Sequence, residues 1–472
     1  MKSHVFSRKS RIEAPVETVF AWHERAGAIE RLSPPWDNIR LVSQSNGIQP
    51  GSTVRLKISP GGPLPAGPFH LNWTSVHTAY EKNRLFQDIQ VKGPFSKWIH
   101  THRFDPSGEN ACFIEDHIEY ALPLHTATAP LFGGSIRSRL EGIFAYRHRT
   151  TAADIDCHAG YGMKPMNVMV SGSNGLIAST LIPFLTTGGH RVFRLLRTPP
   201  EPEDRDCAYC DLAGGVIDLE NIENIDAVIH LAGENIGGAP WTRNKKHRIL
   251  ESRTRSTSLL ASALAKMKNP PKLFACASAI GYYGNRGGEM LTESSGSGDD
   301  FISDVCRKWE AAARPATDAG IRTVFMRIGI VLTPAGGALQ KLLPAFQAGL
   351  GGPIGDGRQY MSWIGIDDVA GAILHVMADD NIYGPVNLVA PEPITNRAFA
   401  ETLGRVLSRP AFFRVPETVV NMIFGQMGRE TLLSGTRVIP ETLSAAGYRF
   451  RHPTLHSALS HVLGKTGSIK GL

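Results

Sequence analysis

The spacing of apolar residues changes near residue 160. Before it, period-two alternation over Arg84 to Val91, Trp98 to Phe104 and Cys112 to Leu122 predicts half-buried antiparallel strands. Ser10-Arg-Ile-Glu-Ala-Pro15-Val-Glu-Thr-Val-Phe-Ala-Trp22 predicts a strand, a proline-started turn and an amphipathic helix, and Leu131 to Thr151 reads as one long helix. From Asn167 onward, short apolar runs alternate with helix-like segments. Strands are predicted at Val168–Ser171, Arg191–Leu196, Ala227–Leu231, Leu273–Ser278, Thr323–Ile328 and Val386–Leu388, with helices at Ser179–Leu185, Asn244–Lys266 and Phe301–Ala319. Strands separated by helices imply an α/β fold with a parallel, doubly wound sheet. From about Pro410 the chain becomes helix-rich, punctuated by Pro416, Pro440 and Pro453 and closed by a Gly/Lys tail. The predicted domains are 1–158, 166–409 and 410–472.

With 472 residues the chain exceeds what one core supports, in keeping with that division. The net charge of +7 would suit an anionic ligand, but Lys and Arg are scattered rather than striped, so no nucleic-acid partner is predicted. No run reaches the roughly 18 apolar residues of a membrane span, and no apolar segment follows the charged N-terminus, so a soluble, cytoplasmic chain without a membrane span is predicted. The six cysteines show no disulfide framework, and Cys207-Ala-Tyr-Cys210 lacks a second ligand pair, so it reads as an incidental pair in a loop. His100, His102 and His117 lie on alternating segments without metal-ligand spacing. They are read as ordinary surface or half-buried histidines, and no metal is predicted.

The chemistry concentrates at Asn167-Val-Met-Val-Ser-Gly-Ser-Asn-Gly-Leu-Ile-Ala178. Gly172 allows a positive-φ turn, Gly175 removes a Cβ where a pyrophosphate approaches backbone N–H groups, and Ala178 permits close helix–strand packing. Gly172, Asn174, Gly175, Leu176 and Ile177 are the predicted phosphate-binding residues; the alternative is a tight turn in some other α/β protein. The second strand ends on Arg197, where enzymes reading a ribose 2′-hydroxyl place Asp or Glu. A guanidinium there favours a 2′-phosphate, hence NADP(H), unless it is simply a solvated strand-end Arg. The third strand ends in Leu231-Ala232-Gly233, leaving room for the dinucleotide at the switch point or forming a structural turn.

Beyond these motifs, His230-Leu-Ala-Gly-Glu-Asn-Ile236, Ser278-Ala-Ile-Gly-Tyr-Tyr-Gly284, Trp309-Glu310, Arg327-Ile-Gly-Ile-Val-Leu332, Gly349 through Gln359, Trp363-Ile-Gly-Ile-Asp-Asp368 and Asn387 through Asn396 occur in order. In these blocks the chain from Met166 to about Leu463 resembles the atypical short-chain dehydrogenase/reductases known as epimerase-family or SulA-like cell-division-inhibitor proteins. The tail, with Leu432-Leu433, Arg437 and Pro440, resembles the small C-terminal domain attached to them. The first 150 residues, opening with the Ile12 to Phe20 pattern, resemble the START-like helix-grip (SRPBCC) superfamily, which implies a curved sheet gripping a long helix around a cavity for an apolar ligand. The first resemblance implies a Rossmann domain and adds Glu234, Arg327 and Gly329 to the cofactor residues.

Active short-chain dehydrogenases use Tyr-x-x-x-Lys, the Lys lowering the Tyr pKa. No tyrosine here has Lys four residues on. Aligning Glu310 with the family puts Ile302 and Cys306 at those two positions, and Gly365 stands where the family pattern has His. Ser278, or Ala279 one residue later, falls at the substrate-positioning Ser/Thr. Tyr282 or Tyr283 could act as a repositioned acid and Glu293 as a base, the alternative being that they pack or cap. Two functions follow as expectations. One is an NADP(H)-binding epimerase-like oxidoreductase acting on an unidentified small molecule, with nucleotide sugars as a candidate class. The other is a non-catalytic NADP(H)-binding sensor whose helix-grip domain binds an apolar ligand and whose state a partner reads.

Overall fold

The computed structural model describes residues 3–59, 70–123, 125–201, 204, 206–212, 214–219, 222, 224–237 and 240–465, with side chains of 125–134 left aside. The chain forms two compact units: Met1–Met163 together with Pro183–Gly189 and the segment from His461, and Lys164–Ile182 together with His190–Ser460. Among the described residues no helix is long and apolar enough to cross a membrane.

The first unit runs β1 (His4–Ile12), α1 (Val16–Glu24), α2 (Ala28–Leu32), β2 (Ile39–Gln44), β3 (Thr53–Ile58), β4 (Leu71–Glu81), β5 (Leu85–Lys92), β6 (Lys97–Pro106), β7 (Cys112–Ala121) and α3 (His125–Tyr161). Its seven strands make one antiparallel sheet in the order β1-β7-β6-β5-β4-β3-β2. Alternation of burial along β7 from Cys112 to Tyr120 gives the sheet one interior face, as the period-two pattern requires. On that face Phe20 of α1 meets Phe86 and Phe104 edge-on, and Phe6, Ile118 and Tyr120 pack with Leu140 and Phe144 of α3. The long helix extends past the predicted end because its last turns are also used. Ile155 joins the core, and Asp154 accepts two hydrogen bonds from the buried Arg31 guanidinium, both 2.7 Å, tying α2 to α3.

One expectation is corrected here. His100 is buried and His102 nearly so, whereas His117 is only half-buried. His100 and His102 are two residues apart and share the interior face of β6, while His117 lies opposite Thr101 and so belongs to the other face. Asp116 sits among them and stays ionised well below the usual carboxylate range. Burial opposes this, but the field of His102 and hydrogen bonds from His100, His102 and His148 outweigh it.

The second unit begins β8 (Asn167–Ser171), α4 (Ala178–Thr187, of which the part from Pro183 belongs to the first unit), β9 (Arg191–Leu196), β10 (Cys207–Asp211), β11 (Val216–Asp218), β12 (Ala227–His230), α5 (Arg243–Ala265), β13 (Leu273–Ala279) and β14 (Met290–Leu291). It continues α6 (Phe301–Ala311), α7 (Arg314–Asp318), β15 (Arg322–Ile328), β16 (Ile330–Leu332), α8 (Gly337–Gln347), β17 (Tyr360–Met361), β18 (Trp363–Gly365), α9 (Ile366–Ala378), β19 (Gly384–Leu388), β20 (Ile394–Thr395) and α10 (Asn396–Leu407). Then follow α11 (Glu417–Thr431), β21 (Arg437–Val438), α12 (Glu441–Ala445) and α13 (Leu455–Val462). Eight strands form one sheet in the order β11-β10-β9-β8-β12-β13-β15-β19. All of its neighbouring pairs are parallel except β10 with β11. The predicted parallel doubly wound sheet is therefore present.

Two details differ from the sequence reading. Cys207-Ala-Tyr-Cys210 is not a loop but strand β10, alternating half-buried and buried and pairing with β9. The predicted helix 301–319 breaks in two, because Pro315, which has no N–H to donate, sits in the first turn of α7.

Candidate functional site

The sheet reverses its winding at β8, which pairs with β9 on one side and β12 on the other. In doubly wound sheets such a switch point marks the crevice beyond the strands' carboxyl ends where ligands bind. Gly172 turns there at φ +70, and a Cβ on it would lie 2.8 Å from the Leu231 carbonyl carbon and the Ala232 nitrogen. The two loops therefore touch backbone to backbone, which only glycine allows. The Gly175 N–H donates to Gly172 O at 2.8 Å, and α4 starts directly behind, leaving the first N–H groups of a helix at the crevice. Leu176 packs on Gly336 and Gly337, holding the loop from the far side, and Gly329 lies so close to Ser362 O that a Cβ would approach to 2.7 Å.

Beneath the crevice the floor is polar and sealed. His230 bonds Ser171 Oγ at 2.6 Å through Nδ1 and Thr257 Oγ1 at 2.9 Å through Nε2, and Trp309 Nε1 donates to Thr257 Oγ1 at 3.0 Å. Burial drives the imidazole pKa down to about 4, so it is neutral and works as a spacer between strands and helix. Ser252 Oγ accepts the Glu234 N–H at 3.0 Å, and Lys245 pairs with the Glu234 carboxylate at 2.7 Å, fixing the loop after β12. Gly233 and Asn174 are exposed at the rim. Arg197, just past the end of β9, is exposed, with no ion pair among the described residues.

The other predicted residues gather around Arg327. Its guanidinium donates to both oxygens of Glu310 at 2.9 and 3.0 Å, to Tyr283 Oη at 3.0 Å, and lies 3.5 Å from the centroid of the Tyr282 ring. Ser278 Oγ donates to Glu310 at 2.7 Å, and Tyr283 donates to Asn387 Oδ1 at 2.7 Å. Burial tends to lower the Arg327 pKa, yet the Glu310 carboxylate raises it above the ordinary value. Tyr283 is fully buried and its pKa is raised, chiefly by burial. Tyr282 is half-buried and is the more open of the two tyrosines.

Glu293 accepts the N–H groups of Asn387 at 3.0 Å and Thr442 at 3.2 Å through one oxygen, while its Oε2 is buried with no hydrogen-bond partner. Ile302 and Cys306 are buried, and burial pushes the Cys306 thiol up to about 12, so it stays protonated. Gly365 caps the start of α9, with the Asp368 carboxylate 3.5 Å from where its Cβ would be.

The structure thus brings the phosphate-loop residues and Leu231 to Glu234 to one crevice, and Ser278, Tyr282, Tyr283 and Arg327 to an adjoining buried network. Glu310 and Asn387 stand in the ordered sequence blocks, but their spacing does not reveal that they are the partners that complete this network. The Gly349 to Gln359 segment is stitched to the stretch after Pro410 through Gly355 N to Val415 O at 2.9 Å and Phe413 N to Gly351 O at 3.1 Å. A groove of about 770 Å³ lined by Pro353, Arg397, Arg409 and Phe412 lies on this outer stretch and includes none of the predicted site residues.

Three stretches of the chain match known families. Residues 168–388 match the NAD dependent epimerase/dehydratase family, residues 12–145 match Polyketide cyclase / dehydrase and lipid transport, and residues 415–462 match a domain of unknown function, DUF1731. The chain is 38% identical over 300 residues to epimerase family protein Mb2239 of Mycobacterium bovis, covering 64% of this chain and 98% of that protein. It is also 38% identical over 301 residues to human epimerase family protein SDR39U1, covering 63% of this chain and 100% of the relative. Among solved structures, a nucleoside-diphosphate sugar epimerase from Corynebacterium glutamicum superposes with a TM-score of 0.78 at 31% identity, over 97% of this chain and 90% of that one. Human SDR39U1 (isoform 2), solved with NADPH, superposes with a TM-score of 0.58 at 38% identity, over 63% of this chain and 99% of that one.

Proposed function

Because this chain belongs to the epimerase family, we propose that its parallel-sheet unit binds NADPH at the β8 switch point and carries out oxidoreduction on a small molecule, with nucleotide sugars as the first class to test. The observation that carries the reading is the backbone-to-backbone closure of Gly172 on Leu231 and Ala232, with the first turn of α4 behind it and Arg197 exposed at the end of β9. That cradle would suit a dinucleotide: N–H groups at the start of α4 would receive the pyrophosphate, and the Arg197 guanidinium would pair with a 2′-phosphate. The NADPH in the human SDR39U1 structure and the nucleoside-diphosphate sugar epimerase of C. glutamicum support the cofactor and the substrate class respectively.

When bound, the nicotinamide exchanges a hydride with the substrate. The chain's own part is to orient the substrate and to move a proton. Ser278 sits at the carboxyl end of β13, where its hydroxyl is held by Glu310 with lone pairs left to accept from a substrate hydroxyl. Tyr282, stacked under the Arg327 guanidinium, is the proton donor in this reading, since a cation over the ring face stabilises a developing phenolate. Tyr283, donating to Asn387, is a positioning residue that holds Arg327 in place.

The second reading, a nucleotide-binding module without turnover, is favoured by one observation: the positions of the usual acid/base pair are the buried Ile302 and a protonated Cys306. Titration of the full chain with NADPH and NADH by cofactor fluorescence tests the shared premise. Losing a charge-assisted hydrogen bond of roughly 1.5–3 kcal/mol, Arg197→Ala should weaken NADPH roughly ten- to hundredfold and leave NADH unchanged. Equal weakening of both, or no binding of either, would sink the cofactor assignment. With NADPH binding established, turnover of nucleotide-sugar substrates that disappears in Tyr282→Phe favours the enzyme over the module.

A further inference from the structure

We propose that Asp88, His100 and His102, inside the antiparallel-sheet unit, form a binding site for a divalent first-row transition-metal ion. The strand register assembles it. His77 on β4 stands opposite Asp88 on β5, Asp88 opposite His100 on β6, and His102, two residues on, opposite Asp116 on β7. The pleat puts all five on the face toward α3, where Phe144 meets the His100 ring edge-on.

Asp116 sets the direction of both rings. It accepts from His100 Nε2 at 2.8 Å and His102 Nδ1 at 2.6 Å, while His148 of α3, itself bonded to Ser10 Oγ, donates to its second oxygen at 2.6 Å. With those nitrogens carrying the protons, the lone pairs of His100 Nδ1 and His102 Nε2 face Asp88 Oδ2 at 3.6 and 4.0 Å. The three ligand atoms lie within 4.8 Å of one another.

Three electron-pair donors therefore converge; the Ser75 hydroxyl and the field of the Arg147 guanidinium also act on Asp88, and a metal ion or a shared proton would draw the three together. Metal–nitrogen bonds of ~2.0–2.1 Å set tetrahedral donors about 3.3–3.4 Å apart, so small side-chain rotations close the set around an ion. The surroundings favour the ion over the proton. Each imidazole donates its far N–H to a carboxylate, the arrangement that orients metal-bound histidines and raises their basicity. Phe86 stacks on the His102 ring at 4.1 Å and locks its plane, and the buried His77 Nδ1 has no hydrogen-bond partner. Two imidazole nitrogens and one carboxylate suit Zn²⁺ or Fe²⁺ rather than Mg²⁺ or Ca²⁺, and three protein ligands leave a position open to an exogenous donor. Entry is available, since the Asp88 and His102 side chains retain 13% and 12% exposure.

The test uses the tag-free full-length chain, stripped with a chelator and titrated with Zn²⁺ by calorimetry and with Co²⁺ by absorption. One equivalent of Zn²⁺ is expected, with visible Co²⁺ d–d bands and no thiolate charge transfer. The isosteric Asp88→Asn and His102→Gln should lower affinity at least a hundredfold, and Asp116→Asn roughly ten- to hundredfold. His117→Gln, on the other face, should leave it unchanged. Circular dichroism reports whether each variant folds, and Zn²⁺ uptake by the wild type stands whatever a variant does. Less than one equivalent on the wild type, a thiolate-type Co²⁺ spectrum, or full affinity in folded Asp88→Asn would overturn the proposal and leave the cluster bridged by a proton.

Discussion

Replacing Glu310 by Ala isolates what the buried network beside the crevice contributes. The carboxylate is 12% exposed and the Arg327 side chain 4%, and they share two hydrogen bonds. Removing the acid strands a guanidinium that water cannot reach, which costs about 3–5 kcal/mol, and it also removes the acceptor of Ser278, worth about 1 kcal/mol. Tyr283 Oη and Glu293 O remain as acceptors for Arg327 and place the total toward the lower end, about 4 kcal/mol. At a few degrees per kcal/mol, the parallel-sheet unit should melt roughly 8–12 °C lower by scanning calorimetry. The antiparallel-sheet unit should not move and serves as the internal reference. The double variant Glu310→Met with Arg327→Met removes both charges and should recover most of the loss, because the cost lies in the unpaired charge rather than in the missing pair. A loss under about 1 kcal/mol in the single variant, or a double variant no better than the single, would refute the account of a structurally committed ion pair.

The remaining predictions concern the cradle and pH. Gly172→Ala puts a Cβ 2.8 Å from the Leu231–Ala232 backbone at φ +70; it should abolish NADPH binding by fluorescence titration while the fold survives by circular dichroism, and retention of wild-type affinity would show that the two loops need not touch. His23 and His230, one in each unit, are held at about 4 chiefly by burial, while the unfolded chain titrates near 6.5. The unfolded state therefore binds more protons between those values, so stability is complete above pH 6.5 and falls as pH drops toward 4. Each histidine should cost about 2 kcal/mol by pH 5. Calorimetry from pH 8 to 5 should show both melting transitions falling, and His230→Gln should flatten the slope of the parallel-sheet unit alone; an unchanged slope would mean that imidazole is not the titrating group.

Much of this protein is local and so legible along the chain. The turn at Gly172 depends on a positive φ that its own residue type permits, and the runs that became β8, β9, β12, β13, β15 and β19 are apolar enough to be buried on both faces of a parallel sheet. Long helices announced themselves by period, with boundaries shifted where a distant partner such as Arg31 on Asp154 gave further turns a use. Even the shared face of His100 and His102 was present in their spacing of two, although that spacing carries no metal-ligand signature. Tertiary structure alone decided the rest. Cys207 to Cys210 became a strand because the edge of β9 was there to pair with it. Glu310, Arg327, Tyr283 and Asn387 meet because β13, β15 and β19 lie side by side and α6 packs against β13, an order set by how helices cover the sheet. Propensity and period act over a few residues, whereas a buried charge is stable only beside its partner, and in this fold those partners lie 17 residues apart for Arg327 and Glu310 and 123 for Arg31 and Asp154.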